Sequence, residues 1–290
     1  MEIGYNEATC KELSSLDRDL DLAEKAGFTA FEIRFDMVEK YLVSHTFNDM
    51  GELFARHNIR PVTINAIFHI NFASADYWKQ IEEKVRLAGA IAEKSGADTL
   101  LALPSFGKGF SGKSSQEILD DSVSALSKLA DMAKKFKLRI ALEPIGFADC
   151  CVRTINDSWE IVKKINRPDV GLALDAYNLY QFNRLENVND IQKIAPEKIF
   201  IVHINDARDI PLEELGSFNR LLPGDGVIDC VGFLKSIFSS GYDGVVSVET
   251  LNEALWKIPP EQLIPDAYEK TCRVLMGAKG SKACSINMEM

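Results

Sequence analysis

Gly171-Leu172-Ala173-Leu174-Asp175 is an apolar run of strand length that stops on a carboxylate. Two further runs do the same, Arg139-Ile140-Ala141-Leu142-Glu143 and Val245-Val246-Ser247-Val248-Glu249, and Phe200-Ile201-Val202-His203 stops on an imidazole. A strand buried on both faces reads as a continuous apolar run, the mark of a parallel sheet covered by helices. In barrels and open α/β sheets the C-terminal strand ends carry function, so the residue closing each run stands where chemistry is expected.

Working outward, strand-like runs begin near residues 2, 30, 60, 99, 139, 170, 199 and 244, each interval about one strand–helix–return unit. Amphipathic segments fill the gaps. Residues 15–25 place Leu16, Leu20, Leu22 and Ala23 on one side and stop at Gly27. Residues 74–94 space Trp78, Ile81, Val85 and Ile91 helically before Gly96, and 114–135 repeat the scheme with Ile118, Leu126 and Leu129. Shorter helices are predicted over 157–165, 188–194 and 230–238. Eight alternations without a Pro/Ser/Gly-rich linker predict a single α/β domain, a (β/α)8 TIM barrel over residues 1–276, with 277–290 a flexible tail. A doubly wound open sheet is the alternative. Residues 205–227, containing Pro211, Gly216, Pro223, Gly224 and Gly226, are long enough to form a lid or binding loop.

The composition, 46% hydrophobic and 26% charged, is that of a globular chain, and no apolar run approaches the roughly 20 residues of a membrane span. A net charge of −10 offers no footprint for a phosphate backbone, so neither nucleic acid nor membrane is an expected partner. The start Met1-Glu2-Ile3-Gly4-Tyr5 lacks the regions of a signal peptide, which makes cytoplasmic residence the expectation, with the six cysteines as thiols. A homodimer is the commonest closed assembly.

Glu143, Asp175, His203 and Glu249 close four consecutive runs. One polar strand end ordinarily does no more than meet solvent. Four in succession, with an imidazole among three carboxylates, converge at a barrel mouth and predict a metal site at the C-terminal strand ends. The set suits one divalent ion, zinc or manganese first, then cobalt or magnesium. Arg34, Asn6, Asn65 and Asn178 stand at or near strand ends, and Arg208 and Arg220 on the long loop. They are candidates for gripping substrate hydroxyls, against the plainer roles of surface salt bridge or helix cap. Asp206 is a candidate to orient His203 or to hold a substrate hydroxyl. Trp256 suits either a pocket wall or ordinary packing.

These strand ends resemble the xylose-isomerase-like superfamily of sugar isomerases and epimerases, as do Asn6-Glu7-Ala8-Thr9, Phe31-Glu32-Ile33-Arg34, residues 198–206 and Pro223-Gly224-Asp225-Gly226. Within it the chain is most similar to the inosose isomerases of inositol catabolism, from Met1 to about Gly277. The resemblance implies the same four metal ligands, with Glu143 and Glu249 as the catalytic acid/base pair. It also implies a small polyol or keto-sugar substrate without phosphate. The implied reaction moves a carbonyl to the adjacent carbon of a keto-cyclitol, 2-keto-myo-inositol to 1-keto-chiro-inositol, through a metal-stabilised enediolate. One departure stands out. The superfamily commonly has His three residues after the metal-binding Asp, and this chain has Asn178, an amide that does not titrate near neutral pH.

Ketose 3-epimerisation is the nearest rival activity, and dehydration of the same inosose also begins at an acidified C–H. A DNA-repair nuclease of the superfamily needs more histidine ligands than a chain with 4 His supplies, and a basic face. A non-catalytic ligand-binding barrel requires that the four ligands fail to converge. Gly107-Lys108-Gly109-Phe110-Ser111-Gly112-Lys113-Ser114 matches the phosphate-cradling G-x-x-x-x-G-K-[ST] pattern. Pro104-Ser105-Phe106 separates it from the preceding strand, and nucleotide hydrolysis leaves Glu143, His203 and Glu249 unused. A plain loop beside the barrel mouth is the expectation.

Overall fold

The apolar runs pair side by side, each with its neighbour in sequence, until the last meets the first. The computed structural model describes residues 1–280, with the strands β1 (Glu2–Asn6), β2 (Ala30–Arg34), β3 (Arg60–Ile67), β4 (Thr99–Ala102), β5 (Arg139–Leu142), β6 (Val170–Asp175), β7 (Ile199–Ile204) and β8 (Val245–Val248). All are parallel, and Glu2 of β1 pairs with Val245 of β8 to close the barrel. The strands begin where the apolar runs do, because a buried parallel strand is apolar on both faces.

The outer layer consists of α1 (Leu16–Ala26), α2 (Phe35–Tyr41), α3 (Phe47–Ala55), α4 (Ala75–Ser95), α5 (Ser115–Ala133), α6 (Ile155–Ile165), α7 (Ala176–Asn183), α8 (Cys230–Ser239) and α9 (Pro260–Lys279). Local signals set their limits. Gly27 ends α1 at φ +105, where its N–H reaches the carbonyls of Ala23 and Glu24. Ser114 begins α5 through a capping box with Glu117, whose carboxylate also pairs with Lys113 at 3.0 Å. The phosphate-loop look-alike is therefore the start of a helix.

Two expectations change. Residues Val188–Lys193 form a 3-10 turn rather than an α-helix. The helix α9 continues through Lys279, so residues 277–279, expected in the tail, belong to the barrel's outer layer. The rest of the expected tail, 281–290, lies outside the described residues.

Side chains alternate along a strand, so every second residue points into the barrel. Ala30, Val62, Leu101, Ala141, Ala173, Ile201 and Val245 form an apolar cluster of their own, separate from the larger core between strands and helices. Glu32, Glu143, Asp175 and His203 each lie two residues beyond a member of this cluster. Asp175 and His203 are direct register partners. The ligand layer thus rests on an apolar floor that keeps water from reaching it from below.

Candidate metal centre

Each of Glu143, Asp175, His203 and Glu249 presents one ligand atom, all within 4.8 Å of one another, and all four residues are buried. His203 Nδ1 lies 3.5 Å from Glu143 Oε1, 3.5 Å from Glu249 Oε2 and 3.9 Å from Asp175 Oδ2. Two ligands of one tetrahedral ion, each about 2.1 Å from it, stand about 3.4 Å apart. The spacing is that of groups sharing a cation.

The orientation of the imidazole points the same way. His203 Nε2 lies 3.1 Å from Glu32 Oε2, which accepts from it, and this contact turns Nδ1 toward three carboxylates. Nδ1 is buried and has no hydrogen-bond partner. A ring nitrogen surrounded by carboxylates is satisfied by a cation: a proton in the ion-free site, or a metal ion that displaces it. Counting Glu32, four buried carboxylates meet one guanidinium, Arg220, so the pocket carries an excess of negative charge. These residues fit a divalent ion.

Acid–base properties follow from the same crowding. Burial pushes Glu143 up to about 7, against the opposing pull of His203. Burial likewise raises Asp175, partly offset by Arg220. His203 is raised well above the usual imidazole range, because Glu32 and Glu249 outweigh a burial effect of opposite sign. Glu32 goes the other way, down to about 2, as His203 and Thr63 overcome its burial.

A second ring of amides holds the ligands. Asp175 caps α7 by accepting from the Asn178 N–H at 2.7 Å, and Asn205 Nδ2 donates to its other oxygen at 2.8 Å. Asn205 Nδ2 also reaches the Glu249 carbonyl at 3.0 Å. Asn178 Nδ2 donates to Glu143 Oε1 at 2.9 Å, and Asn6 Nδ2 to Glu249 Oε1 at 3.3 Å. Arg220 Nη1 lies 2.7 Å from Glu249 Oε2 and 3.1 Å from Asp175 Oδ2, while Nη2 donates to Asn178 Oδ1 at 3.4 Å.

Of the residues expected to grip hydroxyls, Asn6, Asn178 and Arg220 therefore gather on the ligands. Asn65 lines the cleft above them, with Nδ2 bonded to Thr63 Oγ1 at 3.0 Å and Glu32 Oε2 at 3.3 Å. Its Oδ1 is buried without a partner. Arg34 lines the same cleft with its guanidinium braced by Asp36 at 2.9 Å. Arg208 is exposed on the loop and is not among the residues that line the cleft. Asp206 does not touch His203; its carboxylate faces loop amides, and Glu32 makes the contact to the imidazole. Trp256 donates to the Ala8 carbonyl at 2.8 Å and packs against Phe218.

Glu32 and Asn205 carry roles that sequence reasoning did not give them. The signal was present: Glu32 is a carboxylate in the middle of a buried apolar strand, and Asn205 follows His203 at the alternation of inward-facing residues. The cleft is lined by the polar side chains of Glu143, Glu249, Asn65, Asn178, Arg34 and Arg220 together with the apolar ones of Phe68, Leu103, Phe106, Ile145, Phe147 and Leu251. Such a lining offers hydrogen-bonding groups and apolar surface side by side.

Residues 20–274 match the family model described as xylose isomerase-like TIM barrel. The chain is 33% identical over 276 residues to the inosose isomerase of Bacillus subtilis (strain 168), covering 95% of this chain and 98% of that one. It superposes on a crystal structure of the IOLI protein with a bound zinc atom at TM-score 0.91 and 32% identity, covering 97% of this chain and 100% of the other. A D-tagatose 3-epimerase-like protein shares the fold at TM-score 0.72 and 24% identity, over 96% of this chain and 98% of its own. Among the described residues, no helix is long and apolar enough to cross a membrane.

Proposed function

The chain belongs to the xylose isomerase-like TIM-barrel family, and on that footing we propose that it is a divalent-metal-dependent isomerase of a keto-cyclitol, converting 2-keto-myo-inositol to 1-keto-chiro-inositol. The observation that carries this reading is the buried ligand set Glu143, Asp175, His203 and Glu249, with Glu143 and Glu249 opening onto a cleft lined by both polar and apolar side chains.

Moving a carbonyl to its neighbour requires that a carbon-bound proton leave the CHOH carbon and that a proton arrive on the former carbonyl carbon. The two oxygens exchange an O–H proton in return, so the reaction is redox-neutral and needs no second substrate. A divalent ion held by the four ligands, zinc or manganese by preference, supplies Lewis-acid polarisation of the substrate oxygens. Proton movement falls to Glu143 and Glu249, which both line the cleft. A carboxylate at either position is the type of group that takes and returns a proton at a substrate carbon. Asn178 steadies the acceptor oxygen of Glu143, and Asn6 and Arg220 fix the two oxygens of Glu249. Asn65 Oδ1 has its own amide committed to Glu32 and Thr63, so it is left to accept from a substrate hydroxyl. Arg34 and Arg220 also line the cleft and orient substrate oxygens. Residence in the cytoplasm fits a soluble substrate of this kind.

The test is an assay of metal-reconstituted protein in deuterated water with 2-keto-myo-inositol, fructose, tagatose and psicose, following exchange and products by NMR. Carbonyl migration in the cyclitol supports the proposal. Exchange confined to the ketoses, with inversion at C3, moves the assignment to a ketose 3-epimerase. Loss of water from the inosose moves it to a dehydratase.

A further inference from the structure

Residues 205–228 leave the end of β7 and return carrying Arg220, so whatever shapes this segment shapes the cleft. Its glycines, Gly216, Gly224 and Gly226, leave the backbone many paths. Asp206 supplies the constraint. Its buried carboxylate takes four backbone N–H groups: Oδ1 from Ala207 at 2.8 Å and Ile228 at 2.7 Å, Oδ2 from Gly224 at 3.0 Å and Gly226 at 2.9 Å. Each oxygen uses both of its lone pairs, leaving none for an imidazole or a substrate hydroxyl.

The donors come from the two ends of the segment, so one side chain ties them together. The return path is fitted to it. A Cβ on Gly226 would lie 2.0 Å from the Ala207 carbonyl oxygen and 2.7 Å from Asp206 Oδ1, closer than any side chain allows. Within the tie, Asp206–Ala207 pairs antiparallel with Arg220–Leu221, Ala207 opposite Arg220. The Arg220 carbonyl accepts from Asn252 Nδ2 at 2.8 Å. The Arg220 backbone is thereby held from two directions while its guanidinium enters the ligand cluster.

We infer that Asp206 is a positioning residue acting through Arg220: by binding four amides it closes the 206–228 segment and sets the guanidinium between Glu249 and Asp175. The effect on rate rests on the isomerase reading; the tie itself rests on the fold alone. Asp206→Asn tests both. The new amide turns donors toward amides that already donate, which opens the segment. We expect kcat/KM to fall about 10- to 100-fold, the scale of a small misplacement in an active site. In an Arg220→Ala background the same substitution should cost less than about twofold, because the group it acts through is gone. Gly226→Ala attacks the tie from its other side and should show the same non-additivity, which covers the case of an Asp206→Asn chain that does not fold. Full additivity with Arg220→Ala in either folded variant overturns the inference.

A second readout needs no substrate. Phenylglyoxal labelling of Arg220, followed by peptide mapping, should be slow in the parent protein and at least about tenfold faster in Asp206→Asn or Gly226→Ala as the segment opens. Unchanged labelling overturns the positioning role whatever the activity. Faster labelling in a protein inactive on every ketone would uphold the tie and discard the isomerase reading instead.

Discussion

Glu32→Gln is the substitution that most sharply separates a charge effect from a shape effect at the metal centre. Three donors converge on one oxygen of Glu32: His203 Nε2 at 3.1 Å, Asn65 Nδ2 at 3.3 Å and the Thr63 hydroxyl. A glutamine that keeps its single oxygen there preserves all three contacts and removes only the negative charge. Its new –NH2 then occupies the place of Oε1, which is buried and has no hydrogen-bond partner. Two consequences follow. Losing the carboxylate behind a metal-binding imidazole lowers metal affinity about 10- to 100-fold, or about 1.4 to 2.8 kcal/mol. The unsatisfied buried donor destabilises the ion-free protein by about 1 to 3 kcal/mol, and each kcal/mol lowers Tm by about 2 to 4 °C in a domain of this size. Affinity is measured by competition with a chromophoric chelator at pH 8, where proton competition at the ligands is smallest, and Tm by calorimetry of the stripped protein. An affinity within twofold of the parent refutes the idea that Glu32 strengthens His203 as a ligand.

Further outcomes are expected elsewhere. Glu143→Gln and Glu249→Gln should each lower kcat by a factor of about 10² to 10⁴ in metal-loaded protein, the size of general acid–base catalysis, in steady-state assays. Asn178→Ala removes the donor to Glu143 Oε1; losing a hydrogen bond to the charged form raises a carboxyl pKa, so the acid limb of the kcat/KM–pH profile should move to higher pH. Movement to lower pH would contradict that hydrogen bond's role. Ile201→Ala opens a cavity directly beneath His203 and should cost about 2 to 5 kcal/mol of stability by chemical denaturation. Ser114→Ala should cost about 0.5 to 2 kcal/mol through the lost cap while leaving turnover unchanged, and ATP should give no saturable heat in calorimetry.

Much of the architecture was legible because burial on both faces leaves a plain mark. Runs such as residues 171–175 are apolar throughout, and the polar residue closing each of them is the one that reaches the barrel mouth. Helices with strong stops, such as α1 before Gly27 and α4 before Gly96, were equally plain. The short helices α2 and α7 follow a strand with no intervening loop, so the residue at the junction serves both elements. Asp175 is such a residue, ligand and helix cap at once. Long-range contacts were not legible. Nothing in the local pattern says that Glu32 on β2 faces His203 across the barrel. Nor does it say that Asp206 is spent on amides up to Ile228. Arg220 reaches the centre only because its segment folds back onto Asp206–Ala207, just beyond β7, a path that turn residues permit but do not specify.

The central claim is that one divalent ion, held by Glu143, Asp175, His203 and Glu249, is required for turnover. Titrating chelator-stripped protein with zinc or manganese, while recording bound metal and isomerase rate together, tests it most directly. Activity that rises from background in proportion to bound metal and levels off at about one ion per chain is the expected result. A stripped protein working at full rate, or tight stoichiometric binding that persists when His203 is replaced by alanine, would contradict it.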